Sequence, residues 1–212
     1  MADLNKLYES ILAGRLEPAI EVTHQVIEER IDIQDVINSY MIKAMEEIGD
    51  RFQHQKAYVP ELLMAARAMK GSLELLKPHM QGEDTTVIGK VVIGTVFGDL
   101  HDIGKNLVAS MLEGCGFEVV NLGVNISSSK FIESVKIEKP DILCLSALLT
   151  TTMTNMRGVI EALQQAGIRD QVKVMVGGAP VNQLFADQIG ADGYSGNANE
   201  AVLKARELLA IA

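Results

Sequence analysis

Apolar residues recur with a helical period through the first part of the chain. In the first such segment they stand three or four positions apart, at Leu4, Leu7, Tyr8, Ile11 and Leu12. Three more segments follow: a helix with Pro18 in its first turn, an apolar stripe from Ile33 to Ile48, and a helix that Pro60 opens. Short connections between four amphipathic helices predict a small four-helix bundle.

The second part of the chain alternates strand and helix. Short runs rich in Val, Ile and Leu predict strands at residues 87–97, 117–122, 141–148, 173–176 and 193–195. Helical segments separate them, including one predicted over residues 152–166 and a last one that runs to Ala210. Near-continuous apolar strands joined by helices predict a parallel sheet covered on both faces. Right-handed crossovers then favour a doubly wound, Rossmann-like (flavodoxin-like) α/β domain with a five-stranded parallel sheet.

The change in period falls in a polar stretch, Gln81–Thr86. It predicts two domains, a helical bundle over residues 1–84 and the α/β domain over residues 85–212.

Composition narrows the classes of partner. The chain has 28 Asp and Glu against 19 Lys and Arg, a formal net charge of −9 that repels phosphate backbones. Its apolar runs are shorter than the ~18 residues of a membrane span, and no N-terminal signal pattern is evident. Cys115 and Cys144 lie far apart without a C-x-x-C motif, so neither a disulfide framework nor a zinc site is indicated. We therefore expect a cytoplasmic protein that binds no nucleic acid and no membrane.

Doubly wound folds bind ligands beyond the carboxyl ends of the strands, where the strand order reverses. For the order 2-1-3-4-5 that point lies between the first and third strands. The loop Gly98–Gly104 follows the first strand, Ser146–Thr152 ends the third, and Gly177–Gly178 ends the fourth. Polar, hydroxyl-bearing and glycine residues thus meet at one edge of the sheet, which is the expected site.

His101 is the candidate metal ligand in this group. A carboxylate two residues earlier, Asp99, is placed to accept the second ring N–H and so orient the imidazole. The other histidines, His24, His54 and His79, lie in the helical part, so a metal site made by protein ligands alone is not indicated. A single ligand suits a metal already held by a macrocycle. The alternative is a solvated loop histidine, with Asp99 as a simple helix cap.

The glycines allow two interpretations. Gly104, Gly177 and Gly178 stand where strands turn into helices, which is common without any ligand. Alternatively they leave room for the close approach of a bulky ligand. The loop is not G-x-G-x-x-G, so the ordinary dinucleotide fingerprint is absent.

Three segments resemble the cobalamin-binding domains of methionine synthase and corrinoid methyltransferases. They are D-x-H-x-x-G at residues 99–104, S-x-L at 146–148 and G-G at 177–178, separated by 41 and 28 residues as in that family. Met45–Phe52 and Tyr58–Leu62 resemble the helical cap of the same proteins. The chain length and the run Gly190–Tyr194 look most like the small corrinoid proteins of methylamine or quaternary-amine demethylation.

The resemblance implies roles for particular residues. His101 would be the lower axial ligand of the corrinoid cobalt, Asp99 would accept from its other ring nitrogen, and Thr152 would supply the relay hydroxyl that is serine in methionine synthase. The implied cofactor-binding residues are Gly98, Asp99, Leu100, His101, Asp102, Gly104, Ser146, Leu148, Thr150, Gly177, Gly178 and Ala198. Phe52, Val59 and Leu62 would cover the upper face of the corrin; the alternative for these three is ordinary bundle core.

The implied function is that of a methyl carrier. With cobalamin or a related cobamide bound, the protein would shuttle a methyl group through Co(I) and methyl-Co(III). The implied partners are a substrate methyltransferase for a methylamine, betaine or similar donor, a second methyltransferase directed to tetrahydrofolate or a thiol, and a reductive activation protein. Such a chain is a carrier subunit with no substrate site of its own, so whether it counts as an enzyme is partly convention.

Three other readings share part of this pattern. A cobalamin-dependent mutase subunit has the D-x-H-x-x-G loop but draws its upper face from a separate barrel, which the helical cap disfavours. A cobalamin sensor shares both halves but needs a DNA-binding domain or a cap tryptophan, and the chain has no Trp. A receiver or other flavodoxin-like module would carry an acidic cluster and a strand-end lysine, which His101 between Asp99 and Asp102 fits poorly.

Overall fold

The computed structural model describes residues 2–79 and 88–210. Within these residues the chain forms two compact units. One comprises the residues up to Ile88 together with Ser110–Gly116, and the other comprises Gly89–Ala109 and the chain from Phe117 onward. The predicted domain boundary between residues 84 and 85, and the polar stretch around it, lie outside the described residues.

The first unit is built from amphipathic helices. Its α-helices are α1 (Leu4–Leu12), α2 (Leu16–Glu28), α3 (Ile33–Val36), α4 (Ile42–Gln53) and α5 (Val59–Leu76). A π-helical turn, Ile37–Met41, joins α3 to α4, and a 3-10 turn, Lys77–His79, follows α5. Because α3, the π-helical turn and α4 run on from one another, they form the third of four helices. The predicted helical bundle is confirmed.

Local sequence signals start two of these helices. The Asp3 side chain accepts a hydrogen bond from the backbone N–H of Lys6 at 3.0 Å, which caps α1. At α5 the backbone N–H of Tyr58 donates to Oε2 of Glu61 at 2.8 Å, and Pro60 stands in the first turn, where its missing N–H leaves no helical bond unmade. Both starts are encoded within a few residues, which is why the sequence pattern predicts them.

The π-helical turn is a departure from the single continuous helix that the stripe Ile33–Ile48 predicts. Val36, Tyr40, Ala44 and Ile48 repeat every four residues, and each step of four advances about 40° beyond a full turn of an α-helix. A π-helical turn holds more residues per turn and takes up this drift. The apolar stripe therefore stays on one face: Val36, Ile37, Met41, Ala44, Met45 and Ile48 are all buried.

Interdigitated apolar side chains form the interior of this unit. In its core, α2 packs on α1 and α5, and α4 packs on α1 and α5. The largest fully buried side chains of the unit include Leu7, Ile11, Met41, Met45, Leu62, Met69 and Leu76.

The second unit has a five-stranded parallel sheet at its centre. The strands are β1 (Lys90–Thr95), β2 (Glu118–Asn121), β3 (Ile142–Ser146), β4 (Lys173–Gly177) and β5 (Gly193–Ser195). Their order is β2-β1-β3-β4-β5, and every neighbouring pair is parallel. The predicted doubly wound topology is confirmed, and its switch point lies between β1 and β3.

Helices connect the strands of this sheet. They are α6 (Ile103–Gly114), α7 (Ser128–Glu138), α8 (Thr150–Met153), α9 (Asn155–Gln165), α10 (Gln183–Ile189) and α11 (Ala198–Leu208). The single helix predicted over residues 152–166 is wrong in two details: it begins at Thr150 and is interrupted at Thr154. The earlier start has a non-local cause, because the carboxylate of Asp99 accepts the backbone N–H groups of Leu148 and Leu149 just before α8.

Apolar side chains fill the space between the sheet and its helices. Phe131 from α7, Leu143 from β3 and Val174 from β4 are fully buried in one such layer, with Met156 and Leu163 from α9. Among the described residues, no helix has both the length and the apolar character that crossing a membrane requires.

Candidate functional site

A row of small and hydroxyl-bearing residues crosses the carboxyl ends of the strands. The register places Thr95 of β1 beside Ser146 of β3, Ser146 beside Gly177 of β4, and Gly177 beside Ser195 of β5. Two of the predicted site residues, Ser146 and Gly177, are therefore direct neighbours. The sheet holds this row rigidly, so the loops that continue from these strands start from fixed positions.

The loop between β1 and α6 carries the candidate ligand. Gly98 turns the chain with φ of +79°, a left-handed conformation that favours glycine. The next side chain, Asp99, is fully buried, whereas that of His101 is 51% exposed. The hydroxyl of Thr95, at the end of β1, donates to the backbone carbonyl of His101 at 2.9 Å and fixes the far side of the loop.

Asp99 joins this loop to the end of β3 through both of its carboxylate oxygens. Oδ1 accepts the backbone N–H of His101 at 3.1 Å and lies 2.7 Å from Nδ1 of the same residue. Oδ2 accepts the hydroxyl of Thr152 at 2.6 Å and the backbone N–H groups of Leu148 and Leu149 at 2.8 and 3.3 Å. The predicted relay Asp99–His101–Thr152 is thus brought together by loops some fifty residues apart in sequence.

These contacts decide the charge of Asp99. Burial acts to raise the pKa of this carboxyl, but the hydrogen bonds from Thr152, Leu148 and His101 outweigh it and hold the pKa well below its usual range. Asp99 is therefore a carboxylate, which can only accept hydrogen bonds. It follows that Nδ1 of His101 carries the proton of that contact, and that Nε2 of the neutral ring has the lone pair that can ligate a metal.

Exposed apolar side chains are close in sequence to the relay residues. Phe97 and Leu100 in the β1–α6 loop and Ile103 at the first position of α6 are 58%, 70% and 85% exposed. Leu148 and Leu149, whose backbone N–H groups bind Asp99, are each 43% exposed. Exposed large apolar side chains beside a polar centre are typical of a binding surface. These five residues, the apolar rim, suit a broad apolar ligand.

The glycines of the site fall into two classes. A Cβ on Gly178 would lie 1.8 Å from the carbonyl oxygen of Ala147, and its φ is +127°, so the protein's own backbone requires glycine there. A Cβ on Gly177 would lie 3.1 Å from the carbonyl oxygen of Ser195, a tight approach. A Cβ on Gly104 would meet nothing within 4 Å, so packing does not explain this glycine.

The remaining predicted residues lie as follows. Asp102 is exposed in the β1–α6 loop and accepts a hydrogen bond from the Asn106 side chain at 3.0 Å. Thr150 is exposed at the first position of α8, and Ala198 is buried at the first position of α11.

The three predicted cap residues belong to the helical unit. Phe52 is half-buried near the end of α4, Val59 is exposed at the start of α5, and Leu62 is fully buried one turn later. The burial of Leu62 is also what a bundle-core residue shows. The role of these three residues over a corrin stays a prediction.

Sequence reasoning missed the polar residues at the end of β2. The ammonium of Lys105, which is almost completely buried, donates to Oδ1 of Asn121 at 2.7 Å and to Oδ1 of Asn106 at 2.6 Å. Burial lowers the pKa of Lys105. The side chain of Asn125 accepts the backbone N–H of Gly98 at 2.8 Å. Asn121 and Asn125 follow a strand at the same edge of the sheet, a position that could have identified them.

The site has one imidazole and no clustered set of protein ligands. Within residues 2–79 and 88–210, no group of three or more His, Cys, Asp and Glu side chains is placed to hold a metal ion.

Comparison with known proteins identifies the family. Two families, both described as B12 binding domain, match the chain at residues 89–203 and 3–77. Trimethylamine corrinoid protein 2 of Methanosarcina mazei is 45% identical over 208 residues, 97% of this chain and 95% of that protein. The dimethylamine corrinoid protein of Methanosarcina barkeri is 42% identical over 208 residues, 98% of this chain and 97% of that protein.

A solved structure supports the same family. The crystal structure of the methanol:cobalamin methyltransferase complex of Methanosarcina barkeri contains a chain that superposes with a TM-score of 0.83 at 30% identity, covering 98% of this chain and 79% of that one. Both the sheet-bearing unit with His101 and the helical unit before it are matched. The chain therefore belongs to the B12-binding family of corrinoid proteins and binds a cobalamin-type cofactor.

Proposed function

We propose that this chain is the methyl-carrying corrinoid protein of a methylamine methyltransferase system. It would receive a methyl group with the help of a substrate methyltransferase and deliver it to a second methyltransferase that acts on tetrahydrofolate or a thiol. The observation that carries the proposal is the buried Asp99, which holds one ring nitrogen of a half-exposed His101 on an apolar rim. The relatives that match nearly the whole chain are named for trimethylamine and dimethylamine.

The residues present fit a corrinoid. A corrin brings its own four nitrogens to cobalt, so the protein needs to supply one further nitrogen and a broad apolar surface. His101 would supply the nitrogen, and Phe97, Leu100 and Ile103 would supply part of the apolar surface. When bound, the cobalt supplies the capacity to accept and give up a methyl group.

The chain's own residues control the position and protonation of the imidazole. Asp99 keeps the proton on Nδ1 of His101, so that Nε2 has the lone pair that would ligate the cofactor's metal. The contact between Asp99 and Nδ1 does not involve Nε2, so it can persist whether or not Nε2 of His101 ligates the metal. Thr152 and the backbone of Leu148 hold that carboxylate still through either state.

The other predicted residues have places in the same proposal. Ser146, Leu148 and Thr150, with Gly177, Gly178 and Ala198, would line the path of the nucleotide tail. Gly104 and Asp102 would lie at the edge of the corrin, where the open space beside Gly104 leaves room. Phe52, Val59 and Leu62 would shield the upper face from solvent.

The test is transfer of a methyl group from a defined amine. The protein is loaded anaerobically with hydroxocobalamin, reduced with Ti(III) citrate, and mixed with a trimethylamine or dimethylamine methyltransferase of the same organism. The proposal predicts that one amine loses one methyl group per loaded protein, and that His101→Ala lowers this yield. A protein that binds the cofactor through His101 but demethylates neither amine would contradict the assignment to a trimethylamine or dimethylamine system.

A further inference from the structure

Asn125 makes hydrogen bonds to two consecutive residues of the His101 loop. It lies in the connection between β2 and α7, and its Oδ1 accepts the backbone N–H of Gly98 at 2.8 Å. Its own backbone N–H donates to the carbonyl of Asp99 at 3.0 Å. One residue therefore holds the chain on both sides of the peptide bond that leads into the buried carboxylate.

The backbone of Asn125 is in a conformation that residues other than glycine rarely adopt. Its φ is +58°, in the left-handed region, where asparagine is several-fold enriched over other non-glycine residues. Gly98, which it contacts, has φ of +79°. Rare backbone conformations cluster at functional sites, so this one suggests that Asn125 helps to position the His101 loop.

The same segment also holds the other end of the loop. Asn121, at the end of β2, accepts from the buried ammonium of Lys105 in the first turn of α6 at 2.7 Å. The loop between Gly98 and Lys105 is thus anchored at its start by Asn125 and at its end by Asn121. Between these anchors, the carboxylate of Asp99 reaches Nδ1 of His101 at 2.7 Å.

We infer that Asn125 is a positioning residue for the Asp99–His101 pair: by fixing Gly98 and the backbone of Asp99, it aims the carboxylate at Nδ1 and holds Nε2 toward the cofactor. As far as it concerns cobalt, the inference rests on the proposed function. It also makes a prediction for the protein without cofactor, because the carboxylate selects the Nδ1–H form of the ring whether or not a metal is bound.

Two substitutions separate the side-chain contact from the backbone conformation. Asn125→Gly keeps the left-handed backbone and removes the acceptor for the Gly98 N–H. Asn125→Asp keeps an acceptor oxygen at the same position and tolerates the same conformation. Each variant is compared with the wild type as ¹⁵N-histidine-labelled protein. The apo-protein is measured by ¹⁵N NMR of the His101 ring. The protein loaded anaerobically with hydroxocobalamin is reduced by one electron to the Co(II) form and measured by electron paramagnetic resonance, in which a ¹⁵N nucleus bound to cobalt distinguishes histidine from the ¹⁴N of the cofactor's own base.

We expect N125G to lower the ratio of histidine-ligated to unligated protein by about tenfold, the lower end of the range for outer partners of metal ligands. The Nδ1–H preference of His101 in the apo-protein should fall with it. N125D should stay within about twofold of the wild type in both measurements. A merely structural role would not predict rescue by aspartate.

Either of two results would overturn the inference: N125G ligating cobalt as well as a histidine-ligated wild type, or N125D losing as much ligation as N125G. A wild type without a histidine–cobalt bond would instead overturn the proposed function, and the apo-protein NMR would still decide the role of Asn125. If circular dichroism shows that N125G does not fold, hydrogen exchange in the wild type decides. The exposed Gly98 amide should be protected, and rapid exchange would contradict the contact.

Discussion

Asp99 is a fully buried carboxylate, and a buried charge is stable only if its oxygens are hydrogen-bonded. Oδ1 binds His101, and Oδ2 binds Thr152 and the two N–H groups that precede α8. An isolated loop carboxylate that merely capped a helix would not need donors from a second segment of the chain. The environment of Asp99 therefore favours the orienting role over the simple cap. The position of the proton on the His101 ring then depends on the negative charge of Asp99.

The lowered pKa of Asp99 has a consequence for stability against pH. Because the folded-state pKa lies below the unfolded value of about 3.9, the unfolded chain binds more protons as the pH falls through that region. The stabilisation from Asp99 is present above that value and is lost at lower pH. We expect the free energy of unfolding of the apo-protein, measured in urea, to fall between about pH 5 and pH 3. Asp99→Asn should fall less steeply, and equal slopes for the two proteins would contradict the assignment.

Thr152 contributes a hydroxyl donor to a buried charge. Thr152→Val keeps the shape of the side chain and removes the donor, which should lower the free energy of unfolding at pH 7 by about 2 kcal/mol. Thr152→Ser keeps the donor and removes a buried methyl group, a loss of about 0.8 kcal/mol. Urea unfolding of both apo variants checks this order. If T152V proves no less stable than T152S, the hydroxyl does not support Asp99.

At the scale of elements, the carboxyl ends of the strands show which glycines serve the fold and which leave room for a ligand. Gly178 follows β4 and would clash with the backbone of Ala147 if it carried a side chain, whereas the place of a Cβ on Gly104 in α6 is open. The two residues look alike in sequence, and only their surroundings distinguish them.

This difference predicts opposite results for two alanine substitutions. Gly178→Ala should destabilise the apo-protein by about 3 kcal/mol, because its backbone conformation disfavours a side chain and the carbonyl of Ala147 must move. Gly104→Ala should leave the apo-protein as stable or up to about 1 kcal/mol more stable, since alanine favours a helix, yet weaken corrinoid binding. Thermal unfolding and cofactor titration measure the two effects. Undiminished binding by G104A would mean that the open space is not used.

The elements that sequence patterns predict well are those encoded locally. The doubly wound parallel sheet follows from apolar runs that alternate with helices, and the start of α5 follows from Pro60. The start of α8 was not predictable, because the carboxylate that binds the backbone just before it, Asp99, lies fifty residues earlier. Asn125 was missed for a similar reason: its left-handed backbone and its bond to Gly98 exist only once two loops meet.

At the scale of the molecule, the chain combines two units whose sequences both match B12-binding families. The sheet-bearing unit contains the complete Asp99–His101–Thr152 arrangement. The helical unit contains the predicted cap residues, of which Val59 is exposed and Leu62 is buried in the described structure. To test whether these residues shield the upper face of the corrin from solvent, substitutions at Val59 are the better choice, because they disturb the helical core far less than substitutions at Leu62.

The central claim is that His101 ligates the cobalt of a bound corrinoid. The most direct measurement is the anaerobic visible spectrum of the protein reconstituted with hydroxocobalamin, repeated on His101→Ala. We predict a histidine-ligated corrinoid spectrum for the wild type and a base-off or aquo spectrum for H101A. A wild-type protein that stays colourless after reconstitution, or an H101A variant with an unchanged spectrum, would contradict the claim.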